Sequence, residues 1–331
     1  MPILDKFTIS TYRPQAIDTT VEMDLFEFQQ LRQLSNLERL QMAAMLTKSA
    51  RKSSLRGLKF RFRSLPSMEF RQKVLQAWLQ NDFFPNFILP SSETMWIQDP
   101  LEIALQLHDL LIALQVDYYI TGGASAVVYG EPRTTRDIDL VLAISLSKIE
   151  ALAIALEQAG FHIAGMEDVR SGQSKILQII HMESISRADL IIAGNQPFDL
   201  IQFQRKQAIE VMEGRILYYA SPEDVILNKL VWRTQSVSEK QWRDVLGILK
   251  VQMELLDLDY LRQWAGYLEV LDDLDLAIAQ FKISQFSFCR RQNENCYILA
   301  GAFGGKEGEH KFGQTALPAT IREFICRPCR I

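Results

Sequence analysis

Cysteine is missing from the first 288 residues of this 331-residue chain; the four that exist stand at 289, 296, 326 and 329. A disulfide framework is therefore excluded for the body of the protein, which must be held by packing. No apolar run approaches the roughly 18 residues that would suggest a membrane span. The opening segment, MPILDKFTISTYRPQ, lacks the basic start and apolar core of a secretory signal, so the expectation is a cytoplasmic protein with no membrane partner. Histidine is scarce, four residues in all, and none stands in an HExxH or triad-like setting. Neither charge sign dominates: the net charge of −4 says little about partners, because local clusters matter more than the sum. An apolar content of 48% with 23% charged residues fits an ordinary globular chain long enough for about two domains. No internal repeat is evident.

Four zones follow one another. Residues 1–95 read as mainly helical, with a capping-box pattern at Ser35–Glu38 and a second helix over Met68–Leu79. The stretch FFPNFILPSS reads as a proline-punctuated linker. Residues 96–220 alternate helix and strand: DPLEIALQLHDLLIAL starts with Asp99 as cap, then come the strands DYYIT, DIDLVLAI, SKILQIIHM and RADLIIA, with a helix stopped at Gly160. Residues 221–282 return to helix, opened by Ser221 and Pro222 with two acids in the first turn. Residues 283–331 show no sustained period, and the expectation there is a poorly ordered appendage. The fold class expected is α+β, a small mixed sheet with helical parts on both sides in sequence.

The stretch TGGASAVVYGEPRTTRDIDLVLAI, Thr121 to Ile144, carries the chemistry. Side chains alternate across a strand, so Asp137 and Asp139 share a face while Ile138, Leu140 and Leu142 fill the other. Two like charges on one half-buried face are costly without a cation. Hard oxygen ligands of this kind suit Mg²⁺, which binds one or two carboxylates together with substrate phosphates. Gly122 and Gly123, placed after a strand and before a helix, allow backbone N–H groups to approach a phosphate closely. A dinucleotide fingerprint fails, because Ala124 and Val127 occupy its second and third glycine positions, and no GK[ST] follows to make a Walker loop.

Strand, Gly-Gly, helix, then Asp-x-Asp on the next strand resembles the nucleotidyltransferase superfamily with the polymerase-beta-like fold. GGASAVVYGEPRTTRDIDLVL is similar to its minimal or toxin branch, the AbiE-type and MenT-type nucleotidyltransferases, and SPEDVILNKLVW…KQWRDVLGIL is similar to the helical segment that follows their sheet. The resemblance covers about Tyr118 to Leu249. It implies Mg²⁺ held by Asp137, Asp139 and a third acid, for which Asp189 stands in the right order. It implies a triphosphate over Gly122 and Gly123, a phosphate contact from Lys229, and Asp244 as the downstream acid of the toxin branch. Many members carry Ser where Gly123 stands; either Ser125 compensates or backbone N–H groups suffice. The activity implied is transfer of a nucleotide from an NTP to a hydroxyl on RNA, such as a tRNA end, or on protein, with an antitoxin as partner. A non-catalytic nucleotide- or RNA-binding protein on the same fold is the alternative.

Plainer readings stand beside these. Asp189 could pair with Arg187, Lys229 could lie on a solvated helix face, and Asp244 could pair with Lys240 one helical turn away. Arg133 and Arg136 are candidate phosphate ligands, yet Arg136 could simply neutralise Asp137. From Arg39 to Met68 there are eight basic residues and no acid, interleaved with Phe60 and Phe62, a pattern suited to nucleic acid or to a solvated helix face. The spacing of the tail cysteines does not match a zinc site, CRPC notwithstanding.

Overall fold

The computed structural model describes residues 14–83, 93–97, 100–236 and 238–280. All lie in the compact unit that spans Met1–Phe288. The cysteine tail, Asp99 and all but the first residue of the proline-punctuated stretch fall outside the described residues.

Three helices open the chain: α1 (Val21–Gln33), α2 (Asn36–Arg61) and α3 (Ser67–Leu79). The expected capping box forms at α2: the Ser35 hydroxyl accepts from the Glu38 N–H, and the Glu38 carboxylate accepts from the Ser35 N–H at 2.7 Å. After α3 the chain makes one 3₁₀ turn, Gln80–Asp82, with Gln80 at φ +54°. A short helix α4 (Glu93–Trp96) and the apolar α5 (Pro100–Ala113) lead into β1 (Asp117–Thr121), α6 (Gly122–Tyr129) and β2 (Asp137–Ala143). Then follow α7 (Ile149–Gln158), β3 (Phe161–Ala164), α8 (Met166–Arg170), β4 (Ile176–His181), β5 (Ser186–Ile192), α9 (Pro197–Arg205), and the hairpin β6 (Gln207–Met212) with β7 (Arg215–Tyr219). The chain returns to helix in α10 (Pro222–Gln235), α11 (Glu239–Gln252), α12 (Leu258–Tyr267) and a further helix over 271–280. Ser221 caps α10 as its sequence implies, its hydroxyl accepting from the Asp224 N–H. The sequence pattern did not distinguish the short β3 or the β6–β7 hairpin from their surroundings.

The strands form one mixed sheet in the order β3-β4-β5-β2-β1-β7-β6. Two neighbours run parallel, β2 with β5 and β1 with β7, and the rest are antiparallel. The fold is thus α+β, with helical parts before and after the sheet. Its main core joins one sheet face to the surrounding helices; Ile138, Leu140 and Leu142 of β2 point into it together with Ala188 and Leu190 of β5. A second, smaller cluster lies under the N-terminal helices, where Leu55 of α2, Leu75 and Leu79 of α3 and Trp96 meet Ile180 and Ile185 of the β4–β5 hairpin. Arg51 clamps this contact by donating to the carbonyls of Trp96 and Ser184, each at 3.1 Å. The N-terminal helices are therefore docked beside the polar face of the sheet. Among the described residues no helix is long and apolar enough to cross a membrane.

Candidate active site

Period-two alternation puts Asp137 and Asp139 on the polar face of β2, each half-buried, while their neighbours enter the core. Parallel pairing with β5 sets Asp139 opposite Asp189 and Asp137 opposite Arg187. Across β4 and β3 the rows continue as Gln178 and Ala164 beside Asp189, and as Ile180 and His162 beside Arg187. On the other side, Thr121 of β1 is the register partner of Asp139. Four strands thus present Thr121, Asp139, Asp189 and Gln178 in one row.

The glycine turn meets this row. Gly122 has φ +64°, and a Cβ there would fall 1.8 Å from Asp139 Oδ2. Only glycine fits, for backbone reasons and for space. Gly122→Ala is expected to cost about 1–3 kcal/mol of stability and to push the Asp139 carboxylate aside; a melting curve within a degree or so of the wild type would contradict the packing argument. Gly123 differs. Its N–H donates to Asp139 Oδ2 at 3.4 Å, and a Cβ there would meet Arg133 at 3.4 Å, ordinary contact. Gly123→Ser is therefore expected to melt with the wild type. Ser125 does not face this turn: it is fully buried, and its hydroxyl donates to the Ile120 carbonyl at 2.7 Å. A serine turned inward toward β1 is not available to stand in for one at position 123, and that part of the expectation is corrected.

Burial raises the pKa of all three acids. For Asp137 burial and then the Asp189 carboxylate push the value up to about 6, against Arg136. Asp139 is raised by burial despite Lys229, the Gly123 N–H, Lys240 and Arg133. Asp189 is raised by burial and then by Asp139, with Arg187 opposing. The largely buried Arg187 answers part of this charge: its Nε donates to Asp137 Oδ1 at 2.7 Å, and its terminal nitrogens reach Asp137 and Asp82. Asp189 was a candidate partner for Arg187, but the hydrogen bonds go to Asp137. Arg136 donates to Gln80 Oε1 at 3.1 Å and acts on Asp137 through its charge, which opposes the rise in that acid's pKa.

Lys229 and Asp244 come together behind the glycine turn. Lys229 is 2% exposed, so the solvated-face reading does not hold. Its ammonium lies 2.8 Å from Asp244 Oδ2, and Arg133 grips the same carboxylate with two bonds of 2.8 Å. Burial pushes Asp244 up, but the donors from Arg133 and Lys229 outweigh it and hold it below its usual value. Burial lowers Lys229, with Asp244 opposing. Two cations against one anion leave this trio with one net positive charge near Asp139.

Beside Asp137 and Asp189 opens a cavity of about 450 Å³, walled also by Asn81, Asp82, Phe83, His162, Gln178 and Arg187. Asp82, His162 and Gln178 were not singled out from the sequence, and Arg187 was named only as a partner for Asp189, not as a site residue. Arg187 could have been, since it stands two residues before Asp189 on the same strand; Asp82 carries no local signal.

Whether these residues suit Mg²⁺ can be judged from the donor set. Three carboxylates share one face, burial raises each, and Thr121 Oγ1 beside Asp139 is buried without a hydrogen-bond partner among the described residues. These are hard oxygen donors whose charge is incompletely answered, which suits a small divalent ion. Among the described residues they do not already form a converged metal cluster. Asp137 is turned to Arg187, and Asp139 to the Gly123 N–H.

The fold is α+β as expected from the sequence, and its mixed sheet sets this acidic row beside a glycine turn at a helix start. No family model matches the chain, and no curated protein matches it. Similar solved structures are nucleotidyltransferase-like. One is an antigenic nucleotidyltransferase-like protein from Paracoccidioides brasiliensis, 20% identical over 55% of this chain and 92% of that one, with a TM-score of 0.37. Another is the lincosamide antibiotic adenylyltransferase LnuA with lincomycin bound, 18% identical over 49% and 98%, TM-score 0.34. A third is terminal uridylyl transferase 4 from Trypanosoma brucei with bound CTP, 11% identical over 64% and 57%, TM-score 0.24. With identities and TM-scores this low, the reading of function rests on the site's own geometry.

Proposed function

We propose that this chain is a Mg²⁺-dependent nucleotidyltransferase that moves a nucleoside monophosphate from an NTP to a hydroxyl acceptor. One observation carries the reading: Asp139 and Asp189 stand in register on adjacent parallel strands, and Asp139 packs into the Gly122–Gly123 turn that opens α6. The triphosphate belongs over that turn, where backbone N–H groups and the positive end of the helix favour an anion. Arg133 and Lys229 add positive potential, moderated by the Asp244 that positions them. Asp137, Asp139 and Asp189 would hold Mg²⁺, which when bound neutralises phosphate charge and polarises the reacting phosphorus.

The acceptor hydroxyl forms a bond to the α-phosphorus as the bond to pyrophosphate breaks in line. Asp189 lines the 450 Å³ cavity and is raised by burial, so it is placed to take the hydroxyl proton from an acceptor seated there. Positioning of the two reactants by the sheet face does most of the remaining work. Incubation with α-labelled NTPs, Mg²⁺ and total RNA or lysate protein tests the reading; label must appear in one acceptor fraction and disappear in an Asp139 variant.

The acids also set a pH dependence. A carboxyl raised to about 6 takes a proton as pH falls, and a protonated Asp137 is a poor cation ligand. At limiting Mg²⁺ the transfer rate is expected to fall several-fold as pH drops through about 6, and saturating Mg²⁺ should move that midpoint downward. A rate flat from pH 5 to about 8 under limiting metal would rule out this assignment.

A non-catalytic nucleotide- or RNA-binding protein is the second reading, favoured by the guanidinium of Arg187 resting on Asp137. Tight NTP binding with no transfer to any acceptor would select it. A toxin role with an antitoxin partner in the cytoplasm rests on the resemblance of the motif alone; growth arrest on expression, relieved by a co-expressed neighbouring gene, is its test.

A further inference from the structure

The acid-free basic run from Arg39 to Met68 is split by the fold into structural and surface cations. Arg39 is buried and donates to the carbonyls of Leu31, Leu34 and Val128. Arg51 is spent on the β4–β5 hairpin. Lys48, Lys52, Arg56 and Lys59 are exposed and recur at intervals of four, four and three residues, which places them on one side of α2. Arg63 continues the series in the turn beyond the helix, and Phe60 stands 80% exposed among these cations. Of the stripe, Lys59 is paired with Glu93 of α4. From Lys48 to Lys59 the stripe runs roughly 17 Å along the helix axis, about five nucleotides of a stacked strand at ~3.4 Å each.

We infer that this face of α2 binds a single-stranded phosphodiester chain and leads it to the acidic cleft as the acceptor. A line of cations at helical spacing complements a linear polyanion better than a compact anion, which would use only one or two of them. The exposed ring of Phe60 offers a stacking surface for a base, a contact indifferent to sequence. The same helix is tied through Arg51 to the hairpin whose strand β5 carries Asp189, so the bound strand is held next to the cavity beside that acid. The use of the strand as acceptor rests on the proposed nucleotidyl transfer; the binding itself does not.

The test is a fluorescence-anisotropy titration of the full chain with a 5′-labelled RNA of about a dozen nucleotides, the DNA of the same sequence, and the duplex. With about four cations engaged, log affinity should fall against log salt with a slope of about −3 for a single strand. Lys52→Ala with Arg56→Ala should weaken binding at least about tenfold at low salt and flatten the slope to about −1.5. Phe60→Ala should cost about tenfold with the slope unchanged. Lys52→Arg with Arg56→Lys should restore the wild-type curve. Preference between RNA and DNA decides which strand is the source. Absence of binding to either strand, binding that the double alanine variant leaves intact, or capture only by anionic vesicles or by acidic protein would overturn the inference. If the strand binds as described while no nucleotide is ever transferred, the transferase reading falls and the stripe stands; if transfer to another acceptor proceeds with no strand bound, the reverse holds.

Discussion

Asp139→Asn is expected to lower nucleotidyl transfer by about 10³-fold or more while leaving the protein folded. Asp139 is the residue on which the site's parts meet. It accepts from the Gly123 N–H, fills the space a Gly122 side chain would need, and faces Asp189 across two parallel strands. Asparagine keeps the shape and one acceptor oxygen but removes the negative charge a cation requires. The sign of the stability effect separates this variant from a misfolded one. Burial raises the Asp139 pKa, so the folded state favours its neutral form. That contribution is present at low pH and is lost as pH rises through the raised value. A neutral asparagine escapes the loss, so without divalent cation the variant should melt at or above the wild type at pH 7. Calorimetric Mn²⁺ titration supplies a readout apart from turnover: the variant should bind at least about tenfold more weakly. Wild-type turnover in Asp139→Asn would end the proposal outright.

Asp244→Ala should be the most destabilising single change in the site, at about 3–5 kcal/mol. The carboxylate is nearly enclosed and is the common partner of Lys229 and Arg133. Its removal leaves two cations facing each other with no anion between them, and Lys229, 2% exposed, has almost no water through which to relax. At roughly 2–4 °C per kcal/mol for a domain of this size, the melting temperature should drop by roughly 6–20 °C. Replacing the pair together, Asp244→Leu with Lys229→Met, should cost less than Asp244→Ala alone, because the buried ammonium goes with its partner and only the partly exposed Arg133 loses its carboxylate. A drop under about 2 °C for Asp244→Ala would mean that solvent reaches the trio and that its cohesion has been overstated. The same variants report on function. The alanine variant should also lose nucleotide affinity, since Arg133 would no longer be held beside Gly123.

Much of this site could be read along the chain before any fold was known. The capping box at Ser35 and Glu38, the Ser221–Pro222 helix start, the alternation of DIDLVLAI and the glycine pair are all short-range signals, and each corresponds to an element or turn in the structure. Arg187 was within reach of the same reasoning, because period two places it on the face of Asp189. Asp82 was not: it meets Arg187 across 105 residues, from a 3₁₀ turn with no motif of its own. Ser125 shows the opposite failure. Its position in sequence suggested the phosphate, yet the packing of α6 on β1 buries it and its hydroxyl donates to the Ile120 carbonyl.

By itself the sequence determined what depends on neighbouring residues. It put Asp137 and Asp139 on one strand face, a glycine turn ahead of a helix, and a basic run with no acid from Arg39 to Met68. Periodicity and backbone freedom act over a few residues, and no other part of the chain is needed to establish them. Tertiary structure decided which distant groups share a place. Strand register set Asp189 against Asp139, and packing of α10 and α11 on α6 brought Lys229 and Asp244 to Arg133, 111 residues from that acid. Packing of α2 against the β4–β5 hairpin divided one basic run into a partly buried clamp and an exposed stripe. The reason is physical: a buried charge takes the partner that the packing of distant elements brings within reach, and that geometry exists only in the folded chain.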